Sequence, residues 1–143
     1  MSFLDEIKRE FNVEEVDIRT YSPLTLAFIG DCIFDQIIRT LLVLDGNRSV
    51  ESLHKHKSKI VKASAQAEFC EVLMPVLTEK EISVFKRGRN AKSGHLPKNA
   101  SQSDYHKATG FEALFGYLYL SGELDRIREL FTLINGGFNE EVR

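Results

Sequence analysis

Only two cysteines, three prolines and nine glycines occur in the 143 residues, and no apolar run reaches the roughly 18 residues a membrane span requires. Asp5 and Glu6 stand among the first apolar residues, where a signal peptide would carry a basic start and lead to a small-residue cleavage site. These absences exclude a disulfide scaffold, a secretory leader and a membrane helix, and they point to the cytoplasm. Cys32 and Cys70 lack the CxxC spacing of a zinc site. Set in an apolar stretch and beside Phe69, they are expected to be core thiols. A large net charge is also missing. The total is −2, which by itself speaks against a strong nucleic-acid binder. The distribution is uneven, however. Residues His54 to Lys107 hold eleven Lys and Arg against five Asp and Glu, and the rest of the chain holds eight against sixteen. The basic middle either solvates helix faces or meets an anionic partner.

What is present is helical periodicity. With no repeat or low-complexity tract and an apolar share of 43%, the chain fits one domain over residues 1–143 with its own core. A first helix is expected over Phe3–Phe11, capped by Ser2 and packed as a lid through Leu4, Ile7 and Phe11. Ser22 as N-cap and Pro23 at the first helical position open a second helix, which stops before Asp45-Gly46. Its interior, LTLAFIGDCIFDQIIRTLLVL, is apolar nearly all round, which predicts the centre of a bundle. A third helix runs from Ser49 to about Leu73, where Pro75 ends it, with Lys55, Lys59 and Lys62 on its outer side. Thr78 and Glu81 form a capping box for a fourth helix. That helix gives way to a loop from Gly88 to Ser101, GRNAKSGHLPKNAS. A fifth helix from near Asp104 to Leu120 and a sixth from about Glu123 to Leu133 complete an all-α, six-helix bundle.

The sharpest anomaly is Asp31, an acid among Phe28, Ile29, Cys32, Ile33 and Phe34. An unpaired carboxylate in such surroundings is very costly. Gly30 beside it weakens the helix by about 1 kcal/mol relative to alanine, a cost that close approach of another helix would offset. Glu112 lies in a matching setting, KATGFEALFGYLYL, between Gly110 and Gly116. Two readings are open. Each acid makes an ordinary salt bridge, for instance with Arg39 or Lys107, or the two converge and share a proton or a divalent cation. Oxygen ligands alone select Mg²⁺ or Mn²⁺.

The string LAFIGDCIFDQ resembles the ribonuclease III signature, whose core reads roughly LEFLGDAVLE, and FEALFGYLYL resembles that family's second acidic segment, roughly DTVEALIGALYL. Together with RGRNAKSGHLPKNAS between them, the two motifs resemble the Mini-III branch, which consists of the catalytic domain without a double-stranded-RNA-binding domain. The similarity covers about Leu24 to Leu120. It implies the ribonuclease III endonuclease-domain fold, with Asp31 and Glu112 as catalytic metal ligands. It also implies Mg²⁺-dependent hydrolysis of double-stranded RNA by a homodimer, with two equivalent sites for two antiparallel strands. For the branch it implies maturation of the large-subunit (23S) ribosomal RNA precursor, with a ribosomal protein as a candidate accessory partner. Two family acids are replaced, by Ala27 and by Thr109. Both positions lie on the metal-facing stripes, which thins the ligand set. Asp35, one turn beyond Asp31, is either an outer-shell carboxylate or a salt-bridged surface acid.

For the duplex, the candidate contacts are Lys86, Arg87, Arg89, Lys92 and Lys98, with Asn90, Ser93 and Asn99 as hydrogen-bonding neighbours. Such groups suit phosphates and 2′-hydroxyls, through which duplex RNA is read. Phe28, Ile29 and Phe34 cannot all point into one small bundle, so the second helix offers a dimer interface. His54 and His56 point to different helix faces, and His95 and His106 lack a nearby acid, which disfavours a histidine mechanism. Two other classes stay open: an all-helical Mg²⁺-dependent nucleotide pyrophosphohydrolase, which needs more acids on one stripe than Asp31 and Asp35, and a non-catalytic RNA-binding or dimerisation module.

Overall fold

A computed structural model describes residues 2–92, 101–137 and 142, and every regular element among them is helical. The α-helices are α1 (Phe3–Glu10), α2 (Pro23–Leu44), α3 (Val50–Val61), α4 (Ala63–Leu73), α5 (Glu79–Asn90), α6 (Gln102–Leu120) and α7 (Leu124–Ile134). No helix among the described residues is long and apolar enough to cross a membrane.

The helix starts reflect local chemistry. Ser2 and Asp5 form a reciprocal capping box on α1, Ser22 Oγ accepts from the Thr25 N–H at 3.2 Å, and Thr78 with Glu81 forms a second box on α5. Three expectations need correction. Among the described residues the expected six helices are seven, because the segment from Ser49 to Leu73 breaks at Lys62, whose backbone is extended at φ −64°, ψ 155°. No glycine or proline marks that break. The buried amide of Gln66 stabilises it instead, donating to the freed Val61 carbonyl at 3.0 Å. Second, α5 continues through Gly88 to Asn90. Gly88 is there for packing: a Cβ on it would lie 2.8 Å from both Ala113 Cβ and Gly110 Cα of α6. Third, the most enclosed helix is α6, which buries nine of its residues, whereas α2 buries seven and leaves Leu24, Phe28, Val43 and Leu44 exposed.

The core is aromatic. Phe34 of α2 is fully buried and meets Phe111 of α6 edge-on at 5.1 Å and Phe131 of α7 at 5.4 Å. Cys70 is buried as expected, and burial pushes its thiol up to about 12. Cys32 is not a core thiol but exposed, since it falls on the solvent side of α2. Leu4 of α1 is buried, whereas Phe11, the C-cap of that helix, is exposed. One ion pair locks α7 onto α5: Arg126 donates to both oxygens of the buried Glu81 at 2.9 Å and to the Val76 carbonyl at 2.8 Å.

Candidate active site

Two small residues set the geometry. At Gly30 a Cβ would collide with the backbone carbonyl of Glu112 and lie 2.7 Å from the Gly116 N; at Gly116 it would collide with the Leu26 carbonyl. The backbones of α2 and α6 therefore touch, and Asp31, next to Gly30, is brought against Glu112. Their carboxyls share a hydrogen bond. Burial above all, then that bond and the Asp31 charge, push Glu112 up to about 9. At neutral pH Glu112 thus keeps its proton beside Asp31.

The alternative ion pairs are otherwise engaged. Arg39 donates through Nε to Asp35 at 2.6 Å, and Lys107 reaches Glu71 at 3.4 Å. Of the two replaced acids, Ala27 is buried against Val84 and Ala113, and Thr109 is buried with its hydroxyl donating to the Tyr105 carbonyl at 3.0 Å. Both positions are filled by packing rather than left open to a ligand. No group of three or more His, Cys, Asp or Glu converges among the described residues. Asp35 is ion-paired, with Arg39 on its own helix and with Lys57 of α3 at 3.3 Å. No sequence signal marks Lys57, because nothing in its spacing sets it apart from Lys55 and Lys59.

The basic candidates divide into two groups. Lys86, Arg87 and Asn90, with Glu79, Ile82 and Ser83 of α5 and Pro23 at the start of α2, line a shallow, open cavity of about 590 Å³. Arg89 faces elsewhere, over the Phe85 ring at 5.9 Å with its Nε donating to Asn90 Oδ1 at 3.2 Å. Lys92 is exposed, and Ser93, Lys98 and Asn99, like His95, lie outside the described residues. On the other side of α2, Phe3, Ile29, Cys32, Ile33, Tyr119 and Phe131 are among the residues lining an apolar groove of about 570 Å³. Phe28 stands beside it on α2, 81% exposed.

Residues 24–123 match the family model of the Ribonuclease III domain. A Mini-ribonuclease 3 of Brevibacillus brevis is 48% identical, over 80% of this chain and 89% of its own. That of Staphylococcus aureus is 38% identical, over 90% and 98%. A crystal structure of a protein from Fusobacterium nucleatum superimposes with a TM-score of 0.77 at 30% identity, covering 86% of this chain and 98% of that one. The matched span contains both Asp31 and Glu112. The chain belongs to the ribonuclease III family, divalent-metal-dependent endoribonucleases of double-stranded RNA, and its relatives set it in the Mini-III branch.

Proposed function

We propose that this endoribonuclease hydrolyses the phosphodiester bonds of duplex RNA at a Mg²⁺ ion, replaceable by Mn²⁺, held by Asp31 and Glu112. The observation that carries the reading is the pair itself: two carboxyls from different helices, brought together where Gly30 and Gly116 let the backbones touch, with Glu112 keeping its proton. A divalent cation can take the place of that proton, and a donor set made only of oxygens suits Mg²⁺, which keeps several waters rather than demanding a full protein cage. The cation supplies a Lewis acid for the hydrolysis of the phosphodiester. Asp31 and Glu112 orient it, and no side-chain nucleophile is required. A pyrophosphohydrolase, by contrast, needs several acids on one stripe, and here Asp35 is engaged by Arg39 and Lys57.

The RNA backbone is held by Lys86, Arg87 and Asn90 in the cavity beside Pro23, with Arg89, Lys92, Ser93, Lys98 and Asn99 as further contacts. The chain acts as a single catalytic domain over 1–143. It pairs with a second copy through α2, where the exposed Phe28 and the neighbouring groove supply apolar surface. Its cellular task is maturation of the 23S ribosomal RNA precursor in the cytoplasm, with a ribosomal protein as accessory partner.

Incubation of the purified protein with a long RNA duplex, with and without Mg²⁺, tests the reading. Cleavage is expected only with the cation, and it is expected to disappear in Asp31→Asn and in Glu112→Gln. Cleavage that survives EDTA would move the chemistry to a histidine.

A further inference from the structure

The carboxylate of Asp35 is shared by two cations: Arg39 Nε lies 2.6 Å from Oδ2 and Lys57 Nζ lies 3.3 Å from Oδ1. One cation would neutralise it. Two leave the cluster with a net charge of +1, and an exposed i,i+4 pair such as Asp35–Arg39 adds little to stability. The excess charge is presented to solvent. Arg39 is 54% exposed and uses one of its five N–H donors on Asp35. His54 and Lys57 line a small pocket with Arg39 on the same side.

The placement of this cluster gives it direction. Asp35 is one turn beyond Asp31 on the same stripe of α2, and Arg39 is one turn further. Pro23, which lines the cavity with Lys86 and Arg87, lies eight residues before Asp31, and Arg39 lies eight residues after it. At 1.5 Å per residue each is about 12 Å from Asp31 along the helix axis. Along the α2 axis the acid pair thus lies between the two basic groups.

We propose that Arg39 and Lys57 form a second phosphate-binding pole that holds the RNA strand on the far side of the Asp31–Glu112 pair from Lys86 and Arg87. The planar Arg39 guanidinium fits the oxygens of a phosphodiester, and Lys57, held by Asp35, adds a fixed charge. Asp35 then offsets part of the charge of the two cations it pairs with. The inference rests on the reading of Asp31 and Glu112 as the cleavage site.

Binding of a short labelled RNA duplex, measured in EDTA over a salt series, tests it without any cleavage. Arg39→Gln is expected to weaken binding severalfold and to reduce the slope of log affinity against log salt by about 1, the signature of one lost phosphate contact. Asp35→Asn raises the charge of the pole and should act in the opposite direction, tightening binding and steepening the slope. Unchanged affinity and slope in Arg39→Gln overturn the proposal, as does weaker binding by a folded Asp35→Asn. The Arg39 result decides alone should Asp35→Asn not fold. Failure of the underlying reading looks different: wild-type protein then binds no duplex, or Asp31→Asn still cleaves.

Discussion

The carboxyl of Glu112 is hydrogen-bonded to that of Asp31, and burial above all pushes it up to about 9. In the cation-free protein this arrangement works against the fold. The folded-state pKa lies above the unfolded value of 4.5, so the folded chain binds more protons than the unfolded one between the two. Stability is therefore full below the ordinary carboxylate range and falls as pH rises toward about 9. Replacing Glu112 by Gln removes the titrating group while keeping a hydrogen-bonding side chain of similar size. Glu112→Gln is expected to melt higher than wild type at pH 7 to 8 in EDTA, with a flatter pH dependence, while losing cleavage. A lower melting temperature, or a pH slope like that of wild type, would show that Glu112 carries its charge openly.

A titration of opposite sign comes from Glu81. Two hydrogen bonds from Arg126 hold its carboxyl below the usual range, helped by the Thr78 backbone N–H. That contribution is present above the unfolded carboxylate pKa and is lost as pH falls through the folded one. Glu81 is 5% exposed, so Glu81→Gln removes the buried charge partner of Arg126 and leaves it the more exposed Glu129 at 3.0 Å. The expected cost is about 3 kcal/mol, the low end for a broken buried pair, because Arg126 keeps 22% exposure. Urea unfolding at pH 7 and pH 3 checks it: the gap between variant and wild type should narrow on acidification.

The sequence carries the helix starts and the meeting of the acids, because both are written in local chemistry. Ser22-Pro23 and Thr78-Glu81 each cap the helix they open, and Gly30 beside Asp31 and Gly116 one turn beyond Glu112 announce the close approach of two backbones. What it does not carry depends on partners distant in sequence. The break at Lys62 is stabilised by the side chain of Gln66, and a glutamine four residues on looks like any polar helical residue. Gly88 reads as the start of a loop, yet it lies in α5 because Gly110 and Ala113 of α6 press against it. The consequence reaches the bases: once α5 extends to Asn90, Arg87 and Arg89 lie on different faces. The apolar character of α2 is legible, but the exposure of its Cys32 and Phe28 requires the position of α6.

Phe28 leads to a prediction about assembly. An exposed phenylalanine contributes little to the monomer core, so Phe28→Ala should leave the isolated fold intact. It should weaken the dimer. Light scattering at micromolar concentration is expected to give a dimer for wild type and a shift toward monomer for the variant. The wild-type melting temperature should also rise with protein concentration, as linkage to association requires, and the variant should lose that dependence. A wild-type monomer at all concentrations would overturn the proposed interface.

The division of the basic residues supplies the last test. Lys86 and Arg87 are exposed and line the cavity beside Pro23, whereas Arg89 is half-buried over the Phe85 ring and tied to Asn90. If the cavity takes the RNA backbone, the Lys86→Gln, Arg87→Gln double variant loses two phosphate contacts. Its salt slope should then fall by about 2. Affinity should drop alike for duplexes of different sequence, since contacts to phosphate carry no base information. Arg89→Gln should change the slope by much less and act instead on stability, through the lost stacking on Phe85. The acids are untouched in all these variants, so cleavage at saturating RNA should persist. An Arg89→Gln slope change as large as that of the double variant would mean that the guanidinium leaves Phe85 when RNA arrives, and that the duplex lies across both faces of α5 rather than in the cavity alone.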